Sequence, residues 1–123
     1  MARAYITILS DNSYINGVVV LHRSLVLSKA KYPLFCITTP EVSEENKLVL
    51  QKLGIWTIEK DLLVPPSLSK EDAPDIIETL DCYGWHKALV KLYIFGLTQF
   101  SKLVYIDADM VVKQNIDDLF EKP

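Results

Sequence analysis

The chain has 123 residues, half of them hydrophobic, and 13 Lys+Arg against 16 Asp+Glu give a formal net charge of −3. That length fits one domain over residues 1–123, and the apolar share excludes global disorder. The mildly acidic balance argues against a nucleic-acid partner, which calls for a basic stripe, but leaves room for a local anion site built from a few lysines.

Residues 4–9 are rich in β-branched and aromatic side chains and are stopped by Ser10-Asp11-Asn12-Ser13. They read as a buried first strand and a turn. Residues 14–28 carry Tyr14, Val18, Leu21 and Leu25, whose offsets follow one helical face. Residues 33–38 form a second apolar run closed by Pro40. Ser43 before Glu44-Glu45 reads as an N-cap with acids in the first turn, opening a helix with Leu48, Val49 and Leu53. Gly54 is a natural helix stop, and residues 55–58 read as a third strand.

Helices alternating with short apolar strands imply a parallel sheet with right-handed crossovers. The pattern breaks over residues 60–84, which hold Pro65-Pro66, Pro74 and Gly84. A connection this long inside a compact domain is usually functional or mobile. The spacing then predicts a helix from Trp85, with Leu89, Leu92, Tyr93, Gly96 and Phe100 on one face. Residues 103–106 form a fourth strand, Asp107-Ala108-Asp109 follows it, and residues 115–120 read as a short turn of helix.

The first apolar run is too short for a secretory leader, and no stretch approaches the ~20 apolar residues of a membrane span. Cys36 and Cys82 stand far apart, with no C-x-x-C and no Cys/His cluster. Two reduced thiols in a cytoplasmic protein are therefore expected, not a disulfide framework or zinc site.

Ligands of open parallel sheets bind at the carboxyl ends of the strands. Asp107 and Asp109 stand at such an end, and residues i and i+2 of an extended chain point the same way. Adjacent carboxylates repel unless a cation lies between them, and a hard ion such as Mn²⁺ or Mg²⁺ takes oxygen ligands and a diphosphate together. The tripeptide by itself is weak, because nine aspartates in this chain predict ~0.6 Asp-x-Asp by chance. Solvated surface carboxylates are the competing reading.

A longer pattern is more specific. Leu103-Val104-Tyr105-Ile106-Asp107-Ala108-Asp109-Met110-Val111-Val112, followed by Asn115-Ile116-Asp117-Asp118-Leu119-Phe120, resembles the metal-site segment of glycosyltransferase family 8. That family includes glycogenin, galactinol synthase and plant glucuronosyltransferases. The chain start agrees, with Thr7-Ile8-Leu9-Ser10-Asp11-Asn12-Ser13-Tyr14, Gly17, Val20-Leu21 and Ser24-Leu25. Thr39-Pro40 and Lys91-Leu92 fit as well.

The resemblance implies an α/β, Rossmann-like GT-A fold, cut short after the Asp-x-Asp segment. It implies a UDP-sugar donor, a carbohydrate or other hydroxyl acceptor, Mn²⁺ (or Mg²⁺), and retaining hexosyl transfer. Ile8, Ser10, Asp11 and Tyr14 would form the uridine pocket, with Tyr14 stacking on the base. Asp107 and Asp109 would bind the metal, and the Ala108 backbone would line the ribose region. Lys91 would lie near the donor phosphates or sugar; no catalytic residue is assigned. Local readings stay open beside these: Tyr14 as a core ring, Asp11 as a helix cap, and Lys91 as a solvated lysine with Lys87 and Lys102 as alternatives. Glycogenin-like members carry an arginine before the lysine-bearing helix, where this chain has Cys82, Tyr83 and His86. The second half of the family fold, with a histidine ligand and the acceptor contacts, is not in this sequence. A non-catalytic UDP-binding module is thus the alternative, and an exposed sheet edge predicts self-association or low stability.

Overall fold

The computed structural model describes residues 2–61 and 89–123. The chain runs through β1 (Ala2–Leu9), a 3₁₀ turn (Asn12–Tyr14), α1 (Ile15–Leu27), β2 (Leu34–Thr38), α2 (Glu44–Lys52) and β3 (Trp56–Glu59). It resumes with a 3₁₀ segment (Leu89–Gly96), β4 (Phe100–Tyr105) and a last 3₁₀ segment (Asp117–Glu121). The four strands form one sheet in the order β3-β2-β1-β4. Every pair is parallel, with Tyr5 opposite Leu34 on one side of β1 and Val104 on the other. This is the parallel α/β sheet that the alternation of elements predicts, in the Rossmann-like arrangement that the resemblance implies.

β1 is central and buried on both faces, which is why it reads as an unbroken apolar run. Its side chains alternate between two layers. Tyr5 and Leu9 pack with Val18, Leu21 and Leu25 of α1, Leu50 of α2 and Phe120. Ile6 packs on the other face with Ile37, Val90 and Leu97. Among the described residues no helix is long and apolar enough to cross a membrane. Cys36 is a buried free thiol whose pKa burial pushes up to about 12, and Cys82 lies outside the described residues.

α2 begins as expected: Ser43 Oγ accepts from Asn46 N at 3.2 Å, and Gly54 takes φ +86° just beyond the helix. Its apolar residues behave differently. Leu48, Val49 and Leu53 are exposed, whereas Leu50 and Lys47 are buried. Lys47 is tolerated because its ammonium reaches Glu59 at 2.6 Å and Glu44 at 3.2 Å.

Three expectations shift. Phe100 opens β4 instead of closing a helix, and residues 89–96 form a 3₁₀ segment whose buried side chain is Val90 while Leu92 is exposed. The apolar repeat in this stretch mixes core and surface residues, so helical periodicity misplaces its inner face. Tyr14 ends the 3₁₀ turn and is 58% exposed, so it is not a core ring. Residues 62–88, with most of the expected long connection, Trp85, Lys87, Cys82, Tyr83 and His86, lie outside the described residues.

The segment after β4 is stitched to the start of the chain. Asp117 accepts from the Tyr5 hydroxyl at 2.5 Å, the Asn115 amide at 2.9 Å and the Lys31 backbone N–H at 3.0 Å. Burial raises its pKa, but these three donors outweigh it and the net direction is down. A carboxylate held below its unfolded value of about 3.9 contributes stability above that pH and loses it as pH falls through the folded value. Acid titration of the melting temperature is therefore expected to show a drop below that range that is smaller in Asp117→Asn. An identical acid slope in the variant would remove Asp117 from the account.

Candidate functional site

Strand ends build the site. A cavity of about 290 Å³ opens where β1 and β4 finish side by side, lined by Ile8, Ser10, Tyr14, Lys91, Tyr105, Asp107, Ala108 and Asp109. Ile8 and Ser10 come from the end of β1, Tyr14 from the turn that follows it, and Lys91 from the 3₁₀ segment on the opposite face. Parallel strands point all their carboxyl ends the same way, so one cavity collects residues from distant parts of the chain.

Asp107 and Asp109 come together by a different route from the one expected. β4 ends at Tyr105, and Met110 N donates to Asp107 O at 3.1 Å, so residues 107–110 form a turn. The two carboxylates share the cavity because the chain curls there, not because an extended strand alternates. The Tyr105 hydroxyl donates to Asp107 Oδ1 at 2.5 Å. Lys91 Nζ lies 3.4 Å from the same oxygen and 5.2 Å from the centre of the Tyr105 ring. The Tyr105 hydrogen bond, with the Lys91 charge behind it, holds the Asp107 pKa below the usual carboxylate range against a burial effect in the opposite direction. Burial, then the same hydrogen bond, raises the pKa of Tyr105, so its hydroxyl remains a donor. The cavity thus gathers two aspartates, one lysine and two tyrosines.

Seven of the eight sequence-predicted residues line this cavity: Ile8, Ser10, Tyr14, Lys91, Asp107, Ala108 and Asp109. Asp11 is not among its lining residues. It caps the 3₁₀ turn, accepting from Ser13 N at 2.9 Å and from the Ser13 hydroxyl. Lys102 is turned elsewhere, its ammonium donating to the Lys122 carbonyl, and Lys87 lies outside the described residues. Sequence reasoning missed Tyr105, which it counted only as a strand residue. The available signal was its i, i+2 spacing from Asp107 at a strand end.

A hard divalent cation fits the donor chemistry in part. Asp107 and Asp109 supply charged oxygens, while among the described residues no group of three or more His, Cys, Asp or Glu is gathered. Two carboxylates leave coordination positions for phosphate oxygens and water, a common arrangement for such ions.

The family model for glycosyl transferase family 8 matches residues 5–122. The chain belongs to glycosyltransferase family 8. It is 36% identical to galactinol synthase 1 of Solanum lycopersicum over 124 residues, covering 98% of this chain and 36% of that protein. It is 34% identical to galactinol synthase 7 of Arabidopsis thaliana, covering 97% of this chain and 34% of that one. Glycogenin-1 of Mus musculus is 32% identical over 120 residues, with 98% and 34% covered. The family-8 chain therefore spans about one third of the length of the curated relatives it matches.

Proposed function

We propose that this family-8 chain is the donor-binding part of a glycosyltransferase that uses a UDP-sugar and a divalent metal, Mn²⁺ or Mg²⁺, and moves a hexose with retention to a hydroxyl acceptor. One observation carries the reading. Two carboxylates, a lysine and an exposed tyrosine face one cavity at the joined ends of β1 and β4. Names of the relatives support glycosyl transfer in general.

In this reading Tyr14 presents its exposed ring to the uracil face, and Ile8 and Ser10 border the nucleoside. Asp107 and Asp109 hold the cation, which when bound neutralises the charge gathering on the departing diphosphate. Tyr105 orients Asp107 and keeps it ionised through its hydrogen bond. Lys91 swings between Asp107 and the phosphates, a short move for a half-exposed ammonium. Asp11 shapes the turn that carries Tyr14.

Calorimetric titration of UDP-glucose with and without Mn²⁺, followed by an assay of UDP release, tests this. Metal-enhanced binding with release is expected in the presence of a suitable acceptor. Binding without release leaves a UDP-binding module. No binding in either condition rejects both readings.

A further inference from the structure

We propose that Gly17 is a positioning residue that sets the height of the Asp107–Asp109 turn over the cavity, with Ser24 pinning the same segment farther along α1. A Cβ at Gly17 would lie 2.3 Å from the Ala108 carbonyl oxygen and 3.3 Å from its carbon. The obstacle is backbone, so it cannot swing aside as a flexible side-chain tip would. Gly17 sits inside α1, where glycine costs about 0.5–1 kcal/mol relative to alanine. The close approach of Ala108 is what the missing side chain provides.

Two more contacts continue along the same stripe of the helix. Ser24 Oγ accepts from Val112 N at 3.0 Å while donating to Leu21 O at 2.7 Å. The Asn115 side-chain amide donates to Ser28 O at 3.1 Å and to Lys29 O at 3.3 Å. Positions 17, 24 and 28 share one face by helical spacing, and they meet Ala108, Val112 and Asn115 in the same chain direction. The segment after β4 is therefore laid against α1 like a rail. Tyr14, one turn before Gly17, lines the cavity together with both carboxylates. The depth to which Ala108 sinks against Gly17 fixes how far those carboxylates stand from the Tyr14 ring.

The test compares Gly17→Ala and Ser24→Ala with the parent chain, by crystallography and by titration of UDP with and without Mn²⁺. Only the ligand arm rests on the proposed function. To bring the Gly17 contact from 2.3 Å to the 3.0 Å that real Cβ atoms respect, the Ala108 carbonyl and α1 must separate by at least 0.7 Å. That displacement is expected in Gly17→Ala, with β1 and β2 unmoved. UDP affinity in Mn²⁺ is expected to fall about 10–100-fold, as for residues that orient metal ligands, while metal-free affinity falls less. An Ala108 carbonyl left in place, or equal losses with and without Mn²⁺, overturns the proposal. If the parent binds no UDP at all, the functional reading fails and the displacement alone decides the positioning role. If Gly17→Ala does not fold, Ser24→Ala decides: a metal-specific loss supports the rail, and unchanged affinity overturns it.

Discussion

Asp109→Asn is expected to abolish the Mn²⁺-dependent part of UDP binding and to leave the melting temperature close to that of the parent. The side chain is exposed in the turn past β4, so the fold loses little when its charge goes. An amide oxygen keeps the shape but not the negative charge that a hard cation requires. With only two carboxylates in the cavity, losing one halves the charged donors the described residues supply. The expected loss is about 100-fold or more in metal-dependent affinity, at the upper end of what metal-site changes produce. Asp107→Asn is expected to match it, with one difference. Its carboxylate also faces Lys91, but that pair is half-exposed on both sides, so the accompanying stability change stays within about 1 kcal/mol. Calorimetry and thermal melts on the two variants check this. Parent-like UDP binding in Mn²⁺ by Asp109→Asn would remove the metal-site reading of the turn.

The largest loss of stability is expected from Phe120→Ala. Phe120 is fully buried although it lies almost at the end of the sequence. Its ring meets Tyr5 edge-on at 5.0 Å between centroids and Tyr32 at 4.4 Å. Truncation removes apolar contacts and leaves a cavity beneath the central strand, a change that costs about 3–5 kcal/mol. Whole domains are stable by only about 5–15 kcal/mol, so the variant is expected to be partly unfolded near physiological temperature. Leu119→Ala, at a half-exposed neighbour, is the control and is expected to cost about 1 kcal/mol. Urea denaturation of both separates them. Equal, small losses would show that the final 3₁₀ segment does not close the core.

β1 and β2 were legible because burial on both faces leaves a mark in composition: both are apolar runs, and turn residues end them. α1 was legible because Val18, Leu21 and Leu25 do face the core. What stayed hidden was whatever depends on two distant segments meeting. Lys47 looks like a surface lysine until Glu59 is seen beside it, and Tyr105 looks like a core residue until the turn carries Asp107 back under its hydroxyl. Asp107 and Asp109 line one cavity through a turn, where the sequence suggested strand alternation. Gly17 gave a weak signal as a glycine inside an apolar helix, but its partner, a carbonyl far along the chain, has no sequence signature.

The placement of β1 between β2 and β4 has a consequence for the order of assembly. Its links to the end of the chain are long: Tyr5 reaches Asp117 across 112 positions, and Arg3 meets Glu121 across 118. Contacts so separated in sequence close slowly, after local pairings have formed. A nascent chain can zip β1, β2 and β3 from its first half, but one flank of the central strand stays open until β4 emerges. Ile8, Ser10 and Tyr14 are then in place early, while the turn bearing both carboxylates arrives with the closing strand. Capacity to hold a cation is thus expected to appear in the same kinetic step that seals the sheet, so that ligand binding during refolding reports the last event and not the first.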